Sequence, residues 1–312
     1  MPISSHSHSG QFCGHAKNTL EEMVKTAISL KMETFAMTEH MPRDEEDLYP
    51  EESGQVEIEQ TAADLVDLMN RYYAEAVRLR DVYAPQIKLL VGFESEWIRP
   101  SSAGLVVRLV QQYQFDLFVG SIHHLHTIPI DFDKLRYEAA RKVSGGTDEL
   151  VFEDYFDEQY VMLQTLKPPV VGHFDLIRLF SDDPDRSFKP MKDVWQKILR
   201  NLEFIAGYGG LVELNSAAIR KGMSEPYPKV EICEEFLKLG GRFTLSDDSH
   251  GVEQIAQNYH RVFEAITRIG IQDIYCFERG GEKVDDRFGH VRVRSHTVVS
   301  LADHPGFAAL NR

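Results

Sequence analysis

The chain has 312 residues, 43% of them hydrophobic, with 49 acidic against 34 basic residues and a formal charge of −15. So acidic a balance argues against nucleic acid or an anionic membrane surface as partner, since both attract a basic face. It leaves room for a small anionic substrate, because bound cations can make one pocket positive.

Taken in chain order, β-rich runs alternate with amphipathic helices. After a short polar run carrying His6 and His8, "TLEEMVKTAISLK" predicts a helix over 19–31, capped by Thr19 or Asn18, with Glu21 and Glu22 in its first turn. Strand 34–40 ("TFAMTEH"), helix 58–82, strand 87–96 ("IKLLVGFESE") and helix 105–113 follow. Next come strand 115–125 ("FDLFVGSIHHL"), helix 150–166, strand 169–177 ("PVVGHFDLI") and helix 192–208. Strand 210–217 ("GLVELNSA"), helix 229–239, strand 242–250 ("RFTLSDDSH") and helix 252–269 complete the series. Segments 42–58, 127–150 and 180–192 read as long loops, which at a barrel mouth usually cover a site. Segment 271–312 is expected to add a last strand or a C-terminal cover. Such alternation implies parallel strands joined by right-handed crossovers. About seven units point to a closed (β/α)7 TIM-like barrel, an α/β fold, with residues 1–312 forming a single domain.

The cysteines, Cys13, Cys233 and Cys276, are widely spaced with no CxxC pair. Neither a disulfide framework nor a cysteine-based zinc knot is expected, and a reducing cytoplasm fits. No signal peptide and no run of membrane-spanning length is recognised.

Polar residues gather at the C-terminal ends of the expected strands, the face where barrels build active sites. They are His6 and His8; Glu39 and His40; Glu94 and Glu96; His123 and His124; His173 and Asp175; Glu213 and Asn215; and Asp247, Asp248 and His250. Residues i and i+2 of a strand share a side, so His6 pairs with His8 and Asp248 with His250. Imidazole and carboxylate suit Zn, Mn or Fe, and a shared carboxylate can bridge two ions. Each motif alone also has a structural reading: H-x-H as a loose polar tail, "SDDSH" as a turn, His173 as a core histidine. Their recurrence at one strand end after another favours metal, because burying so many titratable groups without partners is costly.

The set H-x-H, T-E-H, G-x-E, S-x-H, G-H-x-D and D-x-H resembles the PHP (polymerase and histidinol phosphatase) metal-dependent phosphoesterases over residues 1–251. Within that superfamily, "HSHSGQFCGHA", "SIHHLHTIPIDFD", "VGHFDLIRLF" and "ELNSAAIRKG" resemble the histidinol-phosphatase branch. The resemblance implies a distorted (β/α)7 barrel with a three-metal site. His6, His8 and Asp248 would hold the first ion, and Glu94 would bridge the first and second. His123 and His173 would complete the second; His15, His40 and His250 would hold the third. Glu96 is a reserve ligand, His123 takes the ligand slot rather than His124, and Asp248 rather than Asp247. Cys13 is expected to drop out, lacking a cysteine partner.

The implied activity is hydrolysis of L-histidinol phosphate to L-histidinol and phosphate in histidine biosynthesis. A metal-bridging hydroxide would attack phosphorus in line, with Glu94, Asp248 and His250 as the catalytic set. No C-x5-R loop and no D-x-D-x-T/V motif is found, which argues against the commonest covalent phosphatase routes. Arg178, Arg220 and Lys221 are candidates to clamp the phosphate. Asp131 and Asp133 could meet the amino or imidazole group of the substrate, or simply be solvated. Three alternatives stay open: a PHP-type phosphoesterase on another small phosphomonoester or nucleotide, an amidohydrolase-type hydrolase, and a non-enzymatic metal-binding protein. His260, His290, His296 and His304 are expected to be non-ligands.

Overall fold

The computed structural model describes residues 3–49, 52, 60–280, 288 and 290–299. Its elements in order are β1 (Ile3–Ser4), α1 (Leu20–Ser29), β2 (Thr34–Met37), α2 (Ala62–Tyr83), β3 (Lys88–Glu96), α3 (Ser102–Gln112) and β4 (Leu117–Ser121). A small hairpin, β5 (His124–Leu125) with β6 (Ile128–Pro129), precedes α4 (Lys134–Val143) and α5 (Asp148–Leu166). Then come β7 (Val170–Val171), α6 (Lys192–Tyr208), β8 (Leu211–Asn215), α7 (Ala217–Arg220), α8 (Val230–Lys238), β9 (Arg242–Ser246) and α9 (Tyr259–Ile269). A second hairpin, β10 (Asp273–Arg279) with β11 (Val291–Thr297), ends the described chain.

Seven parallel strands form one sheet in the order β1-β2-β3-β4-β7-β8-β9. Its two edges meet: Ser5 N donates to Leu245 O at 2.9 Å, and Ser7 bridges Ser249 in parallel. The result is the expected TIM-like barrel. Strands such as "TFAM" in β2 and "LVELN" in β8 are buried along their whole length, as parallel strands covered on both faces must be. The helices supply the outer layer through apolar stripes. In α6, Val194, Ile198, Leu202 and Ile205 recur every three or four residues and are buried. Burial of each such side chain contributes about 1.5–3 kcal/mol.

Local chemistry sets the boundaries. Thr19 caps α1 in a reciprocal box with Glu22, and Thr61 caps α2 with Asp64, so α2 begins at Ala62, four residues into the expected 58–82. Position 58 lies outside the described residues. The expected strand 169–177 shortens to Val170–Val171 because Glu213 Oε1 takes the His173 N–H at 2.6 Å, and the chain then turns into a 3₁₀ segment, Leu176–Phe180. The expected helix 252–269 is broken: Ala256 and Asn258 adopt φ of 55° and 63°, and Ala256 N donates to Asp247 Oδ2 at 2.8 Å. Segment 127–150, read as a loop, contains α4. That helix buries only Tyr137 and Ala140, which left little periodic signal, and Asp133 caps it by accepting from Arg136 N.

Hairpin β10–β11 is not a barrel strand. It packs on β9 and β3 and pairs with residues at the N-terminal ends of the strands. Lys88 meets Glu278 at 2.7 Å, and buried Asp116 meets His290 at 2.8 Å and also Arg279. The hairpin therefore covers the barrel floor, opposite the strand ends that carry the histidines. His304 and the rest of 300–312 lie outside the described residues. Among the described residues no helix is long and apolar enough to cross a membrane.

Candidate metal centre

Glu94 is the hub. Its Oε1 lies 3.3 Å from His6 Nε2, 3.3 Å from His123 Nε2 and 3.0 Å from His173 Nε2. Its Oε2 lies 3.4 Å from His8 Nε2 and 3.1 Å from His40 Nδ1. One buried carboxylate thus faces five imidazoles from four strand ends or the turns that follow them. The position is set by the sheet: Glu94 sits near the end of β3, where its N–H donates to Glu39 O and its carbonyl accepts from Met41 N, both at 3.0 Å. Gly92, two residues earlier, lets β3 approach β4; a Cβ there would stand 2.8 Å from Leu117 O.

The ligand-bearing atoms fall into groups small enough to hold ions: His6, His8 and Asp248; Glu94, His123 and His173; and His8, Cys13, His40 and His250. Asp248 Oδ1 lies 3.8 Å from His6 Nε2 and 3.6 Å from His8 Nε2. Asp248 holds a φ of 48°, a conformation aspartate tolerates better than most residues. Arg220 braces that turn, donating to Asp247 O at 3.0 Å and to Asp248 O at 2.9 Å. His15, expected in the third group, lies beside it rather than within it, its ring stacked on His250 at 4.9 Å and tilted to His40 at 5.5 Å.

A set of carboxylates stands behind the imidazoles, the arrangement that fixes tautomer and ring orientation in metal sites. Glu213 Oε2 lies 3.2 Å from His6 Nδ1, Glu96 Oε1 lies 2.9 Å from His123 Nδ1, and Glu39 Oε2 lies 3.6 Å from His8 Nδ1. Glu96 thus stands behind His123 rather than in a ligand group. Glu39 and Glu213 were visible in the sequence only as strand-end acids; their place one layer behind His8 and His6 needed the fold. His124 faces Glu96 Oε2 at 3.7 Å and the Tyr49 ring at 5.1 Å, outside the three groups.

Electrostatics follows from this crowding. Burial opposes charge on Glu94, yet the His6 and His123 imidazoles hold its carboxyl well below the usual range. Burial likewise opposes protonation of His6, His40 and His123, but the neighbouring carboxylates outweigh it and raise all three, with Cys13 also raising His40. Both ring nitrogens of His40, together with His8 Nδ1 and His173 Nδ1, are buried without a well-aligned hydrogen bond. Convergent acceptors and orphaned imidazole nitrogens fit divalent cations at this place.

A cavity of about 380 Å³ opens above the groups, lined among others by Glu94, His173, Asp248, His250, Arg220 and Lys221. Tyr49, Asp131 and Phe132 close one wall. Of the two loop aspartates, Asp131 reaches the cavity, while Asp133 is committed to capping α4. Arg178 does not meet the expectation of a phosphate clamp. Its guanidinium, 1% exposed, bonds Asp175 at 3.0 Å and the carbonyls of Pro184, Glu225 and Pro226. Cys13 departs from expectation in the other direction. Its Sγ lies 3.3 Å from His15 Nε2; burial pushes the thiol up, but hydrogen bonds with His15 and His40 prevail and lower it to about 6.

The PHP domain family model matches residues 4–217. The chain belongs to the PHP domain family. "Probable histidinol-phosphatase" of Schizosaccharomyces pombe is 44% identical, covering 90% of each chain. The histidinol-phosphatase of Saccharomyces cerevisiae is 32% identical, covering 88% of this chain and 90% of its own. In three dimensions this PHP barrel matches a histidinol phosphate phosphatase of Lactococcus lactis solved with zinc, L-histidinol and phosphate. That match has a TM-score of 0.63 at 18% identity and covers 88% of this chain and 95% of the other. A candidate histidinol phosphatase of Listeria monocytogenes matches with a TM-score of 0.71 at 22% identity, over 83% and 99%. Both likenesses are of fold.

Proposed function

We propose that this chain is a metal-dependent phosphatase that hydrolyses L-histidinol phosphate to L-histidinol and phosphate, a step of histidine biosynthesis. The observation that carries the reading is Glu94, whose two oxygens face five imidazoles on the floor of a cavity also lined by Arg220 and Lys221. The names of the fungal relatives support the substrate.

His6, His8 and Asp248 would hold one ion, Glu94, His123 and His173 a second, and His15, His40 and His250 a third, with Glu94 close to the first group as well. Zinc, manganese and iron all suit such donors. When bound, the ions supply positive charge against the developing phosphoryl charge and activate water for attack. Glu213, Glu96 and Glu39 keep the imidazoles of His6, His123 and His8 in orientation. Arg220 and Lys221 receive the phosphate; Arg220 commits two of its five N–H donors to the carbonyls of Asp247 and Asp248 and so couples anion binding to the Asp248 turn. Tyr49, Phe132 and Leu176 shield the reacting centre from water, and Asp131 suits the cationic groups of a histidinol. Residues 1–312 act as one unit, consistent with the ion pairs that tie the C-terminal hairpin to the barrel. A reducing cytoplasm suits its three free cysteines.

The test is chelation followed by assay on histidinol phosphate beside a panel of phosphomonoesters and oligonucleotides. The stripped protein is expected to lose activity and to regain it with zinc or manganese, with the highest kcat/KM for histidinol phosphate. Full activity after chelation overturns the metal mechanism. Preference for another ester overturns the substrate.

A further inference from the structure

We infer that Cys13 is a thiolate ligand of the third ion, so that the N-terminal loop builds a mixed sulfur and nitrogen site beside two sites of nitrogen and oxygen alone. This rests on the metal-dependent reading above and goes beyond it in ligand set and in ion preference.

The geometry is that of a converging donor set. Cys13 is only 6% exposed, and its Sγ stands 3.3 Å from His15 Nε2. Its sulfur and one nitrogen each from His8, His40 and His250 all lie within 4.8 Å of one another. A tetrahedral zinc with Zn–S near 2.3 Å and Zn–N near 2.0–2.1 Å separates sulfur from nitrogen by roughly 3.6 Å, close to these spacings. The Nε2 atom of His8 is turned to His6 at 3.1 Å and to Asp248, so His8 serves the neighbouring group. Cys13, His40 and His250 remain as three donors of that group, with His15 Nε2 beside the sulfur. Neither ring nitrogen of His40 makes a well-aligned hydrogen bond, although Nδ1 stands 3.1 Å from Glu94 Oε2, so both remain open to an ion.

The loop is built to hold this posture. Phe12 N and Cys13 N both donate to Ser9 O, and Ala16 N donates to Cys13 O. Lys17 N donates to His250 O at 2.7 Å, which fastens the loop to the turn after β9. Gly10 permits the return, since a Cβ there would meet Ala16 O at 2.7 Å. Cys13 and His15 are therefore carried on one tight turn against His250.

The consequence is selectivity. Thiolate beside imidazole favours zinc over the harder manganese, whereas the Glu94 and Asp248 groups discriminate less. Binding of the ion displaces the thiol proton to solvent. Cys233 and Cys276 cannot substitute: both are buried elsewhere, with Cys233 Sγ on Pro228 O at 3.4 Å and Cys276 within β10.

The full-length protein, stripped and reloaded with cobalt(II), is expected to show a sulfur-to-cobalt charge-transfer band in the near ultraviolet. Cys13→Ala is expected to lose that band and to retain one equivalent of metal fewer than the unmodified chain, while Cys233→Ala keeps both. X-ray absorption of the zinc-loaded protein is expected to show a sulfur neighbour at about 2.3 Å. If Cys13→Ala fails to fold, the two spectra of the unmodified chain still decide. Bound metal with activity but no sulfur signature overturns the Cys13 ligand alone; absence of any bound metal overturns the metal-dependent reading with it.

Discussion

On the proposed reading, Glu94 and Arg220 divide the residue-scale chemistry between holding ions and holding anion. Glu94→Gln keeps the shape but removes the charge that faces His6, His8, His40, His123 and His173. It is expected to cut activity beyond the tenfold to hundredfold typical of outer-layer changes, with circular dichroism unchanged. Near-normal turnover would refute the shared-ligand role. Arg220 and Arg178 looked alike in the sequence as basic residues following ligand-bearing strands, yet the fold separates them. Arg220→Ala is expected to raise KM for the phosphate ester and to weaken metal retention, since the Asp248 turn loses its brace. Arg178→Ala is expected instead to cost about 3–5 kcal/mol of stability by stranding buried Asp175, with kcat of the folded fraction little changed. Chemical denaturation and steady-state kinetics on the two variants distinguish the roles; an Arg178→Ala enzyme of normal stability but raised KM would reverse them.

At the scale of elements, the barrel depends on close approach between strands that carry ligands at their ends. Gly92 sits two residues before Glu94, in β3, with the Leu117 carbonyl 2.8 Å from where a Cβ would be. Gly92→Ala is expected to destabilise by about 1–3 kcal/mol and to lower activity, because β3 must shift against β4 and carry Glu94 with it. An unchanged melting temperature would show that the sheet absorbs the methyl. Strand and helix identity was legible wherever apolar periodicity ran unbroken, as in α6, whose limits of 192–208 match the sequence reading. Reading failed where a side chain competed with the backbone ladder: Glu213 ends β7 early by taking the His173 N–H, and Asp247 interrupts the run into α9 by taking the Ala256 N–H. Short α4 was missed because its burial is confined to two side chains.

For the whole molecule, the decisive electrostatics lies at one mouth of the barrel, where buried carboxylates raise His6, His40 and His123 above the ordinary histidine range. A protonated imidazole cannot ligate, so protons and ions compete. Raised values mean that protons win at higher pH than for an ordinary histidine near about 6.5. Metal retention is therefore expected to fall as pH falls, beginning above that value. Dialysis across pH 5 to 8 followed by elemental analysis checks it, and full retention down to about pH 5.5 would contradict it. At the opposite end, hairpin β10–β11 covers the floor through Asp116 and Lys88. The described part of the C-terminal segment thus covers the end of the barrel opposite the histidines, rather than adding a strand to the sheet.

Periodicity and i, i+2 spacing are local properties of the chain, so the alternation that makes a barrel, the strand ends that carry donors and the donor types were legible before any fold was known. The choice of Asp248 over Asp247 was local as well. Which donors come close in space, which acids stand behind them and which arginine faces the cavity depended on the folded barrel. Those are contacts between residues as far apart as His6 and Glu213, or His15 and His250, and no local pattern encodes them. Cys13 shows the difference most clearly: unpaired in the sequence, it is brought by one tight turn into a ring of imidazoles.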